Sequence, residues 1–323
     1  MALGDKNNPI KLADLAPADV PTELRVESYF NFKTHPFEHQ SLFEGKKSVI
    51  DVLGKDIGNY AKKWLAEKIS QAKDQSGIKT LVNNAKSGLK IGNFHVIIED
   101  GAVFEPAFVR GVADAAKSKT LYVAKGASVE GANIFLDEGD IYIGPRTIIE
   151  PGTGIKGPTI IGEGNEIRFG AYFRGNVIVG KGGDGCAFRG ELKNTVMMEG
   201  ANFPHPSYLG DSICGYNTHF GNQVTAANLG IFQGLRERSK RTNVVVTIGG
   251  KYYDLGIIKM GVILGDNSQI GCSSVLAPGT LIGPNCVAYA LTSFDRGVYS
   301  ASTLFKNKSI AKGVIELSPV KPL

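Results

Sequence analysis

The chain has 323 residues, a mass of 34.5 kDa and a formal net charge of +5, and 42% of its residues are hydrophobic. This composition excludes wholesale disorder, and the positive charge is too small and too evenly spread to predict a nucleic-acid partner. No apolar run reaches the roughly 18 residues that a membrane-spanning helix needs, so we expect no membrane partner.

The cysteines and the amino-terminal segment both favour a cytoplasmic protein. The four cysteines form no Cys-x-x-Cys pair and are too few for a disulfide framework, so we expect free thiols in a reducing compartment. The first twenty residues carry early acidic side chains and no apolar core, which does not fit a secretory leader.

The first 90 residues are expected to form a small α-containing cap. Residues 1–45 carry turn formers and aromatic side chains without sustained periodicity. From position 48 to about position 71, apolar residues recur at steps of three and four, which predicts one amphipathic helix. A second domain is expected over residues 91–323.

The second domain repeats one apolar residue every six positions. Between positions 143 and 179, seven consecutive positions at this spacing are aliphatic or aromatic, and the same step recurs at positions 123–135 and 264–288. A fixed period of six is typical of a parallel β-helix, in which each short strand points one side chain to the axis. Glycine makes up 41 residues, about 13% against a usual ~7%, which fits a fold with many tight turns.

Residues 229–258 interrupt this repeat and are expected to project from it as a β-hairpin. Two β-prone runs flank the pair Gly249-Gly250, which favours a tight turn. A basic cluster precedes the hairpin, and it has two interpretations, a solvated surface or a phosphate contact; its members are Arg236, Arg238, Lys240 and Arg241.

Polar residues in register on the repeat mark a candidate site. The motifs are ELK at 191–193, HPSYLGD at 205–211, AN at 227–228 and KMGVILGD at 259–266. Through them the chain, over roughly residues 143–290, resembles the acetyltransferase domain of the bifunctional glucosamine-1-phosphate acetyltransferase / N-acetylglucosamine-1-phosphate uridyltransferases and its stand-alone relatives. The resemblance implies a left-handed β-helix, a homotrimer, and acetyl-CoA as co-substrate with no metal required for acetyl transfer.

The resemblance also implies a role for each matching residue. His205 would be the general base and Glu191 the carboxylate that orients it. The residues that would hold the sugar phosphate are Arg174, Lys193, Tyr208, His219 and Lys259. The residues that would line the acetyl-CoA site are Asn228, Asn222, Cys272 and Ala290.

The chemistry of these residue types suits that reaction. A histidine that is neutral near pH 7 can take a proton from an amine, and a carboxylate can fix its tautomer. Two cations, Arg174 and Lys193, match the charge of a phosphate. We therefore expect acetyl-CoA-dependent N-acetylation of an amino-sugar phosphate, with glucosamine-1-phosphate as the expected acceptor, in UDP-N-acetylglucosamine biosynthesis.

Two other functions stay open at this point. His219, Asn222 and Cys272 differ from the residues that the family has there, so the alternative is a non-catalytic sugar-nucleotide-binding or scaffold β-helix protein. A metal-dependent β-helix enzyme of the carbonic-anhydrase kind is disfavoured because the repeat contains no His-x4-His pair. Residues 1–120 contain no glycine-rich loop followed by arginine, so uridyltransferase activity is not expected.

Overall fold

The computed structural model describes residues 3–73, 79–83, 90–183, 185–307 and 315–319. The chain forms two compact units. One is Ile57–Pro206, and the other combines Met1–Asp56 with Ser207–Leu323.

The unit Ile57–Pro206 is built mainly from short strands that follow helix α1 (Lys55–Lys73). A 3-10 turn covers Ala115–Lys117. The strands of this unit are Lys79–Asn83, Lys90–Ile91, Phe94–Ile98, Val103–Glu105, Phe108–Arg110, Lys119–Val123, Ser128–Glu130, Asn133–Phe135, Ile141–Ile143, Ile148–Ile149, Gly154–Lys156, Thr159–Ile161, Glu166–Ile167, Tyr172–Phe173, Val177–Val179, Ala187–Phe188 and Glu191–Met197.

Successive coils of this unit stack in parallel with a fixed register. Ile141 pairs with Thr159, Thr159 with Val177, and Val177 with Thr195, so one coil takes 18 residues, or three of the six-residue repeats. The seven repeat positions predicted to face the axis are all buried, six of them completely: Ile143, Ile149, Ile155, Ile161, Ile167, Phe173 and Val179. The predicted left-handed parallel β-helix is confirmed.

The predicted helix over positions 48–71 is confirmed in its second part only. Ser48 closes a capping box with Asp51 and starts a separate 3-10 turn, Val49–Val52. Gly54 then adopts a positive φ of 76°, which breaks the turn before α1 begins at Lys55.

The second unit also contains β-helix coils. Its strands are Ile10–Lys11, Tyr208–Cys214, His219–Phe220, Thr225–Ala226, Val245–Ile248, Lys251–Asp254, Val262–Leu264, Gln269–Ile270, Val275–Leu276, Thr280–Ile282, Val287–Ala288, Ser293–Phe294, Gly297–Tyr299, Thr303–Asn307 and Ile315–Pro319. Its helical segments are helix α2 (Ile231–Gly234) and the 3-10 turns Leu12–Asp14, Pro17–Asp19, Thr22–Leu24, Val26–Ser28, Gln40–Phe43 and Arg238–Lys240, besides Val49–Val52.

The insertion predicted at residues 229–258 lies within one coil of this unit. Thr225 pairs with Val275, fifty positions away, whereas Val275 pairs with Ser293 at the ordinary spacing of 18. Inside the insertion, Val245–Ile248 and Lys251–Asp254 form the predicted antiparallel hairpin. Its turn residues, Gly249 and Gly250, both have positive φ, as the tightest hairpin turns require.

The first 56 residues pack within this second unit. Ile10–Lys11 adds a parallel strand to the hairpin beside Tyr253. The carboxylate of Asp266 accepts hydrogen bonds from the backbone N–H groups of Asn31 and Tyr216, at 2.8 Å each. Burial raises the pKa of Asp266, and these two donors oppose that rise. The boundary expected near residue 90 stays a prediction.

Within the described ranges, no helix combines the length and the apolar character that crossing a bilayer requires.

Ile149 and its neighbour Ile148 give a direct test of this fold. Ile149 is completely buried in the axis, whereas Ile148 is 51% exposed. We expect Ile149→Ala to lower the free energy of unfolding by about 2–5 kcal/mol, because the truncation leaves a cavity between stacked coils. The matched control Ile148→Ala is expected to change it by about 0.5 kcal/mol or less. Urea unfolding measures both, and equal losses would contradict the assigned axis.

Candidate active site

Two predicted phosphate-binding cations occupy equivalent positions on neighbouring coils of the unit Ile57–Pro206. Phe173 pairs with Leu192, and both side chains are completely buried. Successive side chains of a strand point to opposite faces, so the residues that follow, Arg174 and Lys193, face outward. Arg174 is exposed and Lys193 is half-buried. Among the described residues, no carboxylate lies within 4 Å of the Lys193 ammonium.

Glu191 forms an ion pair with the first of these cations. Nη1 of Arg174 donates to Oε1 of Glu191 at 2.6 Å, and the two side chains are 40% and 36% exposed. An exposed pair of this kind stabilises a fold little, so another anion can replace the carboxylate at modest cost. The described residues show no hydrogen bond between Glu191 and His205, so the orienting role of Glu191 stays a prediction.

His205 lies on a short segment that its neighbours hold in place. Proline fixes its own φ and restricts the residue before it to extended conformations, and His205 stands between Pro204 and Pro206. The segment is anchored by Phe203, which is 1% exposed and whose N–H donates to the carbonyl of Ala187 at 3.0 Å. The imidazole itself is exposed, and in the described part of the chain it makes no hydrogen bond. An exposed imidazole on a restrained backbone can accept a proton from a bound molecule.

A second group of predicted residues converges in the other unit. Tyr208 pairs with Thr225 in parallel, and this register brings Asp211 beside Asn228. Nδ2 of Asn228 donates to Oδ2 of Asp211 at 2.5 Å, and Asp211 is only 4% exposed. The amide of Asn228 is therefore held in one orientation by a buried carboxylate.

Gly210 leaves the space in which these side chains meet. A Cβ atom at this position would clash with the hydroxyl of Tyr208 and would lie 2.9 Å from Nδ2 of Asn228. Lys259 is exposed. It lies beside this cluster because the N–H of the next residue, Met260, donates to the carbonyl of Asn228 at 3.0 Å. Tyr208, Asn228 and Lys259 are thus brought together.

The remaining predicted coenzyme-binding residues form a row along one edge of the coils in this unit. Phe220 pairs with Ile270 and Ile270 with Ala288, so the positions two residues later occupy the same place on three successive coils. Those positions are Asn222, Cys272 and Ala290, and all three are exposed. Backbone hydrogen bonds fix the spacing, since Ser273 donates to the carbonyl of Asn222 at 2.8 Å and Leu291 to that of Cys272 at 2.9 Å.

His219 precedes this row. It pairs with Gln269 on the strand that leads to the edge, and its side chain is half-buried. Its N–H donates to the carbonyl of Ser268 at 3.1 Å. His219 therefore lies on the strand that leads to Asn222, the first residue of the row. Its role in binding the substrate stays a prediction.

Asp211 is the polar residue of this site to which the sequence analysis gave no role. It ends the HPSYLGD motif, so the sequence identifies the residue but not its partner. Its partner became apparent only from the register of Tyr208 with Thr225, which places residues 211 and 228 side by side.

The described residues contain no group of three or more His, Cys, Asp or Glu side chains arranged to hold a metal ion.

No family model matches the chain. It is 34% identical over 120 residues to the bifunctional protein GlmU of Methanocaldococcus jannaschii, and the aligned residues cover 37% of this chain and 27% of the relative. It is 33% identical over 169 residues to a bifunctional sugar-1-phosphate nucleotidylyltransferase/acetyltransferase of Sulfurisphaera tokodaii, covering 46% of this chain and 40% of the relative.

A shorter relative matches over more of its length. The chain is 27% identical over 193 residues to the uncharacterized acetyltransferase YaiX of Escherichia coli, covering 59% of this chain and 80% of YaiX. The chain spans about a third of the length of the bifunctional relatives that it matches. Together with the β-helix, these relatives support the resemblance to the acetyltransferase domain.

The bond between Asp211 and Asn228 can be tested by unfolding. Asp211→Ala leaves the amide of Asn228 without its acceptor and puts alanine at a φ of 50°, so we expect a loss of about 1–3 kcal/mol in the free energy of unfolding. Asp211→Asn keeps an acceptor oxygen and tolerates this φ, so its loss should be clearly smaller. Two variants that are equally stable would show that the hydrogen bond does not hold this cluster together.

Proposed function

We propose that this protein transfers the acetyl group of acetyl-CoA to the amino group of an amino-sugar phosphate, with glucosamine-1-phosphate as the expected acceptor. The observation that carries the proposal is the arrangement in the unit Ile57–Pro206. Two cations on neighbouring coils, Arg174 and Lys193, precede an exposed histidine, His205, on a proline-restrained segment. The names of the relatives, which are acetyltransferases, support the same reaction class.

The proposed reaction needs one base and a stabilised oxyanion. The amine nitrogen attacks the thioester carbonyl carbon, the C–S bond of the tetrahedral intermediate breaks, and the coenzyme leaves as a thiolate. His205 takes the proton that the nitrogen loses and returns it to the departing sulfur. Backbone N–H groups can hold the oxyanion without a dedicated side chain.

The phosphate of the acceptor would exchange with Glu191 on Arg174. A phosphate with two negative charges suits the combined charge of Arg174 and Lys193 better than one carboxylate does. Because the ion pair of Arg174 with Glu191 is exposed, little stability is lost when the phosphate replaces it. Glu191, once released, is the carboxylate proposed to orient His205.

The residues of the other unit keep the roles that the resemblance implies. We propose for Tyr208, His219 and Lys259 the substrate-binding role, and for Asn228 the cofactor-binding role, that the resemblance implies for each of them. The row of Asn222, Cys272 and Ala290 spans three coils, about 10 Å at ~4.8 Å per coil, which suits the extended chain of coenzyme A. A homotrimer in the cytoplasm is part of the same proposal.

A non-catalytic binding protein is the second candidate. The observation that favours it is the ion pair of Glu191 with Arg174, since a carboxylate engaged there does not orient His205.

Thiol release from acetyl-CoA distinguishes the two candidates. The protein is mixed with acetyl-CoA and a panel of amino sugars with and without phosphate, and the free thiol is measured. We expect turnover with an amino-sugar phosphate and much less with the unphosphorylated sugar. Binding of the phosphorylated sugar in calorimetry without any thiol release would favour the non-catalytic candidate.

His205→Ala tests the base. Loss of a general base is expected to lower kcat by about 100- to 10,000-fold while the affinity for the acceptor changes little. His95→Ala, which removes another histidine of the same unit, is the matched control and should keep kcat. The kcat of Glu191→Gln should lie between those of His205→Ala and His95→Ala. A His205→Ala enzyme with the kcat of the wild type would remove this histidine from the mechanism.

Lys193→Ala tests the phosphate contact. A charge contact that is equal in the ground and transition states contributes uniform binding, so we expect a KM for the phosphorylated acceptor raised by about tenfold or more at a similar kcat. Lys181→Ala, which removes an exposed lysine of the same unit, should leave KM unchanged. If instead Lys193→Ala lowered kcat alone, Lys193 would act on the reacting atoms and not on the phosphate.

A further inference from the structure

The insertion in the second unit begins with a segment that carries exposed apolar side chains, residues 230–241, which we call the tip. Ile231, Phe232 and Leu235 are 79%, 76% and 81% exposed, more than any other large hydrophobic residue among those described. Single exposed apolar residues are ordinary, but three neighbouring ones at this degree of exposure indicate a contact surface.

Polar contacts at its base hold the tip in shape. Nε2 of Gln233 donates to Oγ1 of Thr242 at 2.7 Å, and the N–H of Thr242 donates back to Oε1 of Gln233 at 3.0 Å. Nε of Arg241 donates to the carbonyl of Gln233 at 3.0 Å. These contacts close the loop across eight to nine residues, so they fix the backbone that carries the exposed apolar side chains.

Basic residues directly follow the apolar ones. The cations are those of the basic cluster, Arg236, Arg238, Lys240 and Arg241, and Glu237 is the single acid among them. Glu237 pairs with Lys240 at 3.0 Å, and both side chains are about 70% exposed. In the described ranges, no carboxylate lies within 4 Å of the guanidinium groups of Arg236 or Arg238.

We propose that this tip docks on an anionic lipid surface. Exposed aliphatic and aromatic side chains enter the interface between headgroups and acyl chains, while neighbouring cations bind lipid phosphates. Charge complementarity selects this partner, because four cations against one acid within six residues oppose docking on another positively charged copy of the same tip. Such peripheral contact needs no spanning helix, so the proposal departs from the sequence-based expectation of no membrane partner, which rested on the lack of a spanning segment. It does not depend on the proposed acetyl transfer.

Co-sedimentation with lipid vesicles tests the proposal on the full chain. Vesicles of phosphatidylcholine with about 30% phosphatidylglycerol are compared with pure phosphatidylcholine, first in about 0.1 M salt and then at higher ionic strength. We expect at least tenfold stronger binding to the anionic vesicles and a loss of that binding as salt screens the charges. Equal binding to both kinds of vesicle would overturn the proposal.

Variants separate the apolar and the charged contributions. Phe232→Ser with Leu235→Ser should lower binding to anionic vesicles by about tenfold or more. Arg236→Gln with Arg238→Gln should lower it by about fivefold for each charge removed. The matched controls are Phe169→Ser, which alters a 62% exposed phenylalanine of the other unit, and Lys62→Gln with Lys63→Gln on α1.

Light scattering on the same variants tests the alternative that the tip contacts a second copy of the chain. The measured mass should be the same for the wild type and the Phe232→Ser, Leu235→Ser variant. A smaller mass for that variant, with vesicle binding unchanged, would show that the tip contacts a second copy of the chain and would overturn docking on lipid. Tip variants that bind vesicles as well as the controls do would also overturn it.

Discussion

The parallel stacking of 18-residue coils is the constraint on which the rest of this structure depends. Each coil must deliver one apolar side chain to the axis from each of its strands, and the buried series from Ile143 to Val179 meets that demand without interruption. Because the register is fixed, any outward position is repeated on the next coil at the distance between paired strands. A β-helix therefore arranges exposed side chains in rows.

Two of the groups of candidate site residues follow from this geometry. Arg174 and Lys193 are neighbours because Phe173 and Leu192 pair beneath them. Asn222, Cys272 and Ala290 likewise form a row through the register of the strands that precede them. Neither group needs a separate scaffold, since the residues that fill the axis of each unit also set the spacing of those outside it.

The period of six is a local property, and that is why the sequence sufficed to predict the β-helix and its axis. The hairpin was likewise predicted from a local signal, two β-prone runs on either side of Gly249-Gly250. The other features depend on contacts between distant residues. The docking of Asn31 on Asp266 joins positions 235 residues apart, and no local pattern encodes it. The partners of Asp211 and Glu191 depend on the coil register and on the side-chain conformation chosen from several, so motif spacing alone did not predict them.

Transfer of the acetyl group to nitrogen is the central claim, and the bond that forms can be observed directly. Acetyl-CoA labelled with carbon-13 at the carbonyl is incubated with the protein and with glucosamine-1-phosphate labelled with nitrogen-15 at the amine, and the product is examined by NMR. We expect a one-bond coupling between the labelled carbon and nitrogen, present with the wild type and strongly reduced with His205→Ala. A labelled acetyl group that stays on the coenzyme, or that appears on a sugar oxygen, would contradict the claim.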